Sequence, residues 1–373
     1  MSINEQNNRL YFLDNLRTFM VFLVVVLHSG LVYESSGFAG IFWIVYDFDT
    51  NILVDELNMI IDIFVMSVIF FISGYLTLPS LQKKGKWNFV KTKAKRLLIP
   101  WLFGVFVMIP LYKVIFLMSR GMPQENWTTY FHFSNGIISQ NWLWYLPILF
   151  IFDMIFMTFS KIKINPEKIS LKIIIPGMFV VAFGYSLSMY LLGLQGWTKN
   201  SIVNFQNERL LIYFMMFLFG NLCFSKKIFH QMKPKYNIVL ILIALVGIFA
   251  YRYFYMATRF NPGTLIVSEW FHRIGYWLSF EISLFGLVYL FIVGFWKFFN
   301  QQPKIGKVMN QNSYYVYIIH TVIMGCIGYL LLEVNLPSVL KFFILTTFTY
   351  LLSNLLVSFH RSITQRFKLL ILK

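Results

Sequence analysis

The sequence is poor in charged residues and in cysteine. Only 13% of its 373 residues are charged, and 58% are hydrophobic, whereas a soluble domain usually has about 25% charged residues. This composition argues against a soluble fold. The two cysteines, Cys223 and Cys326, lie in apolar runs that the topology below places near opposite membrane faces. Neither a disulfide nor a metal site built on a cysteine pair is therefore expected.

No cleavable leader, internal repeat or linker is evident in the sequence. The first apolar block continues into Ser29 and Gly30 without the small-residue motif that a signal peptidase requires. We therefore expect this block to remain as the first helix. Without a repeat, a low-complexity segment or a linker, residues 1–373 are predicted to form a single membrane-embedded domain.

Apolar blocks near the length that crosses about 30 Å of hydrocarbon recur along the whole chain. They predict an all-α, polytopic transmembrane helix bundle of about ten helices, of which the sixth is the shortest. The predicted spans cover residues 10–33, 57–78, 97–118, 142–160, 172–194, 210–224, 236–256, 275–299, 313–332 and 339–359.

The net charge of +17 is explained by topology and does not indicate nucleic-acid binding. With the amino terminus inside, 23 of the 32 basic residues lie in inside segments, six lie outside and three lie within spans. Cytoplasmic loops of membrane proteins are enriched in Lys and Arg. Both termini are therefore predicted to be cytoplasmic. The first outside loop, residues 34–56, contains five acidic residues and no basic one.

The first helix contains three ionisable residues, Asp14, Arg17 and His28. Arg17 and His28 are eleven residues apart, which places them about 20° from one another on the helix and about 16 Å apart along it. In the predicted orientation, Arg17 lies in the inner leaflet, where Asp14 can pair with it, and His28 lies near the outer side. Ionisable residues inside a membrane usually indicate function. The alternative is that Arg17 extends its charged group to the membrane interface and that His28 only forms a hydrogen bond with a neighbouring residue.

The ninth helix contains a second polar stripe. Ser313, Tyr317 and His320 lie within about 60° of one another, with Tyr314 nearby, and His320 is predicted about 10 Å from the inner end of the helix. The alternative interpretation is a hydrogen-bonded seam between two helices.

Other polar features are less specific. Asp62 lies toward the outer end of the second span, and Ser73-Gly74 would let another backbone approach closely. The basic loop Lys83–Arg96 is expected from topology, but it could also bind anionic lipid or the phosphates of a nucleotide-like cofactor. Asp153 and Glu281 are intramembrane acids without an obvious partner.

Four motifs follow one another along nearly the whole chain. They are Tyr11–Arg17 followed by ten residues and His28, Phe70–Leu76 followed by the basic loop and Arg96–Pro100, Trp142–Leu146, and Ser313–His320. Together and in this order, they resemble the bacterial acyltransferase-3 family of membrane proteins. The opening segment looks especially like the branch that succinylates periplasmic glucans.

The resemblance implies transfer of an acyl group, usually acetyl, from cytoplasmic acyl-CoA to a hydroxyl of an extracytoplasmic glycan or similar acceptor. It implies a bacterial cytoplasmic membrane, no metal, and essential roles for Arg17 and His28. Some relatives have an appended esterase-like domain. This chain ends about 14 residues after the tenth predicted span, so we expect the membrane domain alone.

The residue chemistry agrees with this expectation. The polyanionic CoA should favour the basic inner side, where Arg17, Lys95 and Arg96 are candidate ligands. Ser313, Tyr317 and His320 are expected to position the donor. His28, with an ordinary pKa of about 6.5, is the candidate general base for the acceptor hydroxyl. Asp62 is expected to orient its imidazole. The sequence leaves open whether an acyl-histidine intermediate forms.

Two other classes of protein share some of these features. A transporter or flippase for a glycan or a lipid-linked precursor would also have intramembrane charges, but such proteins often show internal repeats and matched broken helices. A scaffolding subunit would not need Arg17 and His28 on one helix face. The expected partners are membrane lipid and a glycan or cell-surface acceptor, without nucleic acid.

Overall fold

The computed structural model describes residues 10–35, 42–132, 138–160, 165–258 and 269–371, with side chains to residue 366. Residues 36–41 of the first outside loop lie outside the described residues. So do five of the basic residues counted above, which are Arg9, Lys161, Lys163, Arg259 and Lys373.

Ten helices in the described part of the chain are long and apolar enough to cross a membrane. This confirms the prediction of an all-α, polytopic fold. Helices suit the hydrocarbon of a membrane because their backbone polar groups are hydrogen-bonded within the helix. The helices are α1 (Tyr11–Gly30), α2 (Ile52–Lys84), α3 (Lys86–Met118), α4 (Asn141–Phe159), α5 (Leu171–Leu191), α6 (Asn207–Ser225), α7 (Tyr236–Thr258), α8 (Glu269–Phe298), α9 (Lys304–Leu331) and α10 (Ser338–Ile371). A short antiparallel hairpin of β1 (Trp197–Lys199) and β2 (Asn204–Gln206) precedes α6.

The basic segment Lys83–Arg96 is helical, and the expectation of a loop there was wrong. Helix α2 continues to Lys84 and helix α3 begins at Lys86, so only Gly85 separates them. Gly85 has a φ of 70°, a backbone conformation that favours glycine. Lys and Arg are good helix formers, so the helices can continue past the apolar spans.

Helix α3 departs from regular α-helical geometry near its middle. It contains Pro100, which cannot donate a backbone hydrogen bond, and a π-helical segment follows at Gly104–Met108. Such wider turns are local insertions within otherwise regular helices. The helix then continues as Ile109–Met118.

The described chain separates into two compact units. The first contains α1, α9, α10, the beginning of α2 to Ile61 and the segment Gly104–Phe131. The second contains Asp62–Phe103 and the chain from His132 to Gly294. The single domain expected over 1–373 stays a prediction.

In the first unit, α9 packs against α1, α10 and the second part of α3. The side of α1 that is buried there is apolar and includes the fully buried Phe12, Leu16, Met20 and Val25. Helices α1 and α9 also make polar contacts at two levels, from Thr18 to Asn310 and from His28 to His320. Because residue numbers increase along both helices between these contacts, α1 and α9 run parallel.

In the second unit, α2 and α6 cross at two glycines. A Cβ added at Gly74 would collide with the backbone carbonyl oxygen of Phe217, and one added at Gly220 would collide with that of Phe71. The prediction that Ser73-Gly74 allows a close backbone approach is therefore confirmed. Small residues commonly permit this packing between membrane helices.

Candidate active site

The two predicted histidines lie side by side in the first unit. The Nδ1 of His28 is 2.8 Å from the Nε2 of His320. Their rings are parallel to within 1°, with centroids 5.1 Å apart, and the ring of Trp43 is 5.1 Å from that of His28. His320 is fully buried, whereas His28 is half-buried. His28 is therefore the more accessible member of the pair.

His320 is held by its own helix. Its Nδ1 lies 2.8 Å from the carbonyl oxygen of Tyr317 and 3.2 Å from that of Val316. The hydroxyl of Thr321 is 3.2 Å from its Nε2. Tyr317 is itself buried, with its ring 6.1 Å from the imidazole of His320. The polar stripe predicted on α9 thus faces α1 at His28.

The loop that contains Trp43 is anchored by two cations. Arg120 donates to the carbonyl oxygen of Trp43 at 2.8 Å, and Lys341 forms an ion pair with Asp47 at 2.8 Å. Burial lowers the pKa of the Arg120 guanidinium. Burial also raises the pKa of Tyr33, and the neighbouring carboxylates of Asp47 and Asp49 add to that shift. These contacts fix the indole of Trp43 beside His28.

The other end of α1 forms a polar cluster with α9. Arg17 pairs with Asp14 at 3.5 Å and donates to the carbonyl oxygen of Asn310 at 3.3 Å. The same carbonyl accepts a hydrogen bond from Ser313 at 3.2 Å, and the Asn310 side chain accepts one from Thr18 at 2.6 Å. The side chain of Arg17 is 31% exposed, so it is only partly buried within the cluster.

Sequence reasoning missed the amide residues of this cluster. Arg361 of α10 donates to Asn312 at 2.9 Å and to Gln311 at 2.7 Å, and Asn310 donates to Asn15 at 2.8 Å. Because amide oxygens are neutral, they orient the Arg361 guanidinium without cancelling its charge. The run of three amide residues before the apolar part of α9 was the available signal.

The first unit therefore places two kinds of chemistry along α1. Arginines suited to an anion lie at one end, and a histidine pair suited to proton transfer lies about 16 Å along the helix. The intervening residues of α1 are almost entirely apolar. This arrangement suits a long ligand with a charged head and a reactive tip.

Asp62 belongs to the second unit, where it pairs with Arg209. The Arg209 Nη1 lies 2.7 Å from the Asp62 carboxylate and 3.0 Å from its carbonyl oxygen. Arg209 is 4% exposed and stacks on the ring of Phe280 at 4.7 Å. The expected role of Asp62 in orienting His28 stays a prediction.

Lys95 and Arg96 also belong to the second unit, where both are exposed on α3. Their neighbour Lys93 pairs with Asp153 at 2.9 Å, and Thr77 donates to the same carboxylate at 2.7 Å. The sequence offered no obvious partner for Asp153, and the structure supplies two. The roles of Lys95 and Arg96 at a donor stay predictions.

Two of the sequence motifs meet within the second unit. The hydroxyls of Ser73 and Tyr145 are 2.7 Å apart, and the rings of Phe70 and Tyr145 pack edge to face at 4.9 Å. The Phe70–Leu76 and Trp142–Leu146 motifs therefore pack against one another. The motifs of α1 and α9 do the same in the first unit.

Fold and site define a multi-pass membrane protein with polar groups concentrated on the packed faces of its helices. Residues 10–358 match the family model described as an acyltransferase domain, and the chain belongs to the acyltransferase-3 family. This confirms the resemblance drawn from the four motifs.

The chain is also similar to Glucans biosynthesis protein C of Escherichia coli (strain SMS-3-5 / SECEC). The identity is 23% over 328 residues, which cover 84% of this chain and 81% of that protein. Proteins of the same name from Salmonella agona (strain SL483) and Salmonella heidelberg (strain SL476) show the same identity and coverage.

Proposed function

We propose that this protein transfers an acyl group from acyl-CoA to a hydroxyl of an extracytoplasmic glycan or another cell-surface acceptor. Membership of the acyltransferase-3 family supports acyl transfer, and relatives named for glucan biosynthesis support a glycan acceptor. Acetyl-CoA is the first donor to test, and succinyl-CoA is the second because the opening segment resembles the succinylating branch. The observation that carries the proposal is the contact between His28 of α1, the helix that also contains Arg17, and His320 of α9.

The donor would lie along α1 with its phosphates near Arg17. Hydrogen bonds from a guanidinium to phosphate are charge-assisted and among the stronger ones in proteins. The pantetheine arm would lie along the apolar residues between Arg17 and His28. Lys95 and Arg96 are proposed as further phosphate ligands, and Ser313 and Tyr317 as positioning groups for the donor.

His28 would act as the general base. Its imidazole takes the proton of the acceptor hydroxyl while the hydroxyl oxygen bonds to the acyl carbon of the thioester. The carbon–sulfur bond then breaks, and the CoA thiolate recovers the proton from His28. The products are an acylated hydroxyl and free CoA, so atoms and charge balance without a metal or a redox partner.

The predicted orientation would supply the donor from the cytoplasm of a bacterial cell and place the acceptor outside. The 23-to-6 distribution of basic residues supports this orientation. It puts Arg17 on the side where acyl-CoA is made and His28 toward the side where a surface glycan is available.

The test is acyl transfer by the purified protein in lipid nanodiscs. Radiolabelled acetyl-CoA or succinyl-CoA is offered with a glucan oligosaccharide, and the acylated sugar is measured. We expect His28→Ala and His28→Asn to abolish transfer, because neither side chain can take the proton, while acyl-CoA binding is retained. General-base catalysis contributes about 10²–10⁴-fold.

The matched control is His360→Ala, which removes an exposed histidine of α10 outside the cluster and should leave transfer unchanged. A His28→Ala protein with near-normal turnover would contradict the assignment. A wild-type protein that moves a glycan or lipid-linked precursor between leaflets without acylating it would favour the transporter alternative.

A further inference from the structure

We infer that His320 is a positioning residue that holds His28 in the tautomer whose Nε2 has no proton. This inference rests on the proposed function, since it concerns how the base at His28 is prepared. It also gives His320 a role different from donor binding.

The first step fixes the protons of His320. Its Nδ1 lies 2.8 Å from the carbonyl oxygen of Tyr317 and 3.2 Å from that of Val316. Carbonyl oxygens only accept hydrogen bonds, so the Nδ1 of His320 must carry a proton. A neutral imidazole carries only one proton, which leaves the Nε2 of His320 as an acceptor.

The second step fixes the protons of His28. Its Nδ1 is 2.8 Å from the Nε2 of His320. Because that Nε2 accepts, the Nδ1 of His28 must be the donor. A neutral His28 then has a lone pair on Nε2, the nitrogen on the other side of the ring. The backbone of α9 thereby sets which nitrogen of His28 can receive a proton.

The same arrangement suits both protonation states of the base. When His28 gains a proton on Nε2, its Nδ1 still donates to the Nε2 of His320, and this bond becomes charge-assisted. No rotation of either ring is required. The indole of Trp43 beside His28 adds a steric restraint on the ring. The geometry therefore orients the base before the acceptor arrives.

His320 is poorly placed to be the base itself. It is fully buried, its Nδ1 donates to its own helix, and its Nε2 faces His28. His28 is half-buried and is therefore the more accessible member of the pair. The pair thus has one reacting member and one supporting member.

Two amide variants separate this role from simple packing. In His320→Gln, the side-chain amide can reach the position of the imidazole Nε2 and accept from His28. In His320→Asn, the shorter amide stays near the position of Nδ1 and keeps only the local helix contact. We expect His320→Gln to retain kcat within about tenfold and His320→Asn to lose on the order of 10²-fold, inside the range of general-base catalysis. The KM for acyl-CoA should be unchanged in both.

Other results would overturn the inference. Equal kcat values for the two amide variants would reject it, whether both were active or both inactive. A raised KM for acyl-CoA with normal kcat would assign His320 to donor binding instead. The proposed function fails separately, if the wild type does not transfer acyl groups or if His28→Ala remains active.

A second measurement does not depend on activity. Nitrogen-15 chemical shifts of labelled histidine distinguish protonated from bare ring nitrogens, and the His28 signals are those missing from His28→Gln. We expect His28 in the neutral wild type to be protonated at Nδ1 and bare at Nε2. The opposite tautomer would overturn the inference even if acyl transfer were normal.

Discussion

Arg17 is a partly exposed cation that is oriented by polar contacts within the first unit. Its guanidinium is 3.5 Å from Asp14 and donates to the carbonyl oxygen of Asn310 at 3.3 Å. The planar geometry of a guanidinium matches a phosphate group. Arg209 is instead buried and pairs with Asp62 at 2.7 Å.

We predict that Arg17→Ala weakens acyl-CoA binding while the protein still inserts. Charge-assisted hydrogen bonds to phosphate contribute about 1.5–3 kcal/mol each, so binding should weaken roughly 10- to 100-fold, as measured by calorimetry in nanodiscs. Arg17→Lys should rescue only partly, because the bidentate geometry is lost. Arg96→Ala should weaken binding less.

Arg273→Ala is the matched control for Arg17. Arg273 has the same side-chain exposure of 31% and an acid one turn away, Glu269, at 3.8 Å. The Arg273→Ala protein should bind acyl-CoA with the same affinity as the wild type. If Arg17→Ala and Arg96→Ala both do so as well, the donor must bind elsewhere.

The residue stripes were predictable from sequence, but their pairing was not. Spacing alone placed Arg17 and His28 on one face of α1 and identified the stripe on α9. The predicted depth of His320 counted from residue 313, whereas α9 begins at Lys304. Counted from there, His320 lies about 24 Å along α9 and His28 about 25 Å along α1. The two histidines can therefore meet, because the parallel helices bring equal depths together.

At the scale of helices, two intramembrane acids of the second unit, Asp62 and Asp153, are paired with cations far away in the sequence. Arg209 is 147 residues from Asp62, and Lys93 is 60 residues from Asp153. Removing one member of a buried ion pair leaves the other charge uncompensated, which is strongly destabilising. The sequence marked the acids as unusual, but helix packing alone selects their partners.

The crossing of α2 and α6 gives a stability prediction. Gly74→Ala would place a methyl group against the backbone carbonyl of Phe217, which cannot move away as a side chain could. Overpacking of this kind costs about 1–3 kcal/mol. We therefore expect a lower midpoint of thermal unfolding in detergent, and the same for Gly220→Ala at the carbonyl of Phe71.

Gly184→Ala on α5 is the matched control, since a Cβ there meets nothing within 4 Å. Replacing a helical Gly by Ala normally stabilises a helix by up to about 1 kcal/mol, so this variant should unfold at the same temperature or higher. If Gly74→Ala and Gly220→Ala unfolded at the wild-type temperature or above it, the added methyl groups would not destabilise the protein. The prediction of overpacking at the crossing would then be wrong.

At the scale of the whole molecule, the direction of acyl transfer depends on which side each loop faces. The predicted orientation places the loop before α2 outside and the turn between α2 and α3 inside. Asp49 and Lys83 are exposed, charged residues in these two segments. Both should therefore face water, whichever side of the membrane that is.

The orientation is tested in a background without the native thiols, Cys223→Ala with Cys326→Ser, because both cysteines are free and Cys326 is exposed. A membrane-impermeant maleimide added to intact cells should label Asp49→Cys and should leave Lys83→Cys unlabelled until the cells are opened. The reason is that cytoplasmic segments retain Lys and Arg, whereas the first outside loop has only acidic residues among its charged ones. The opposite labelling pattern would show that the chain has the opposite orientation in the membrane. Arg17 would then face away from cytoplasmic acyl-CoA, and the proposed direction of transfer would be wrong even if His28 were the base.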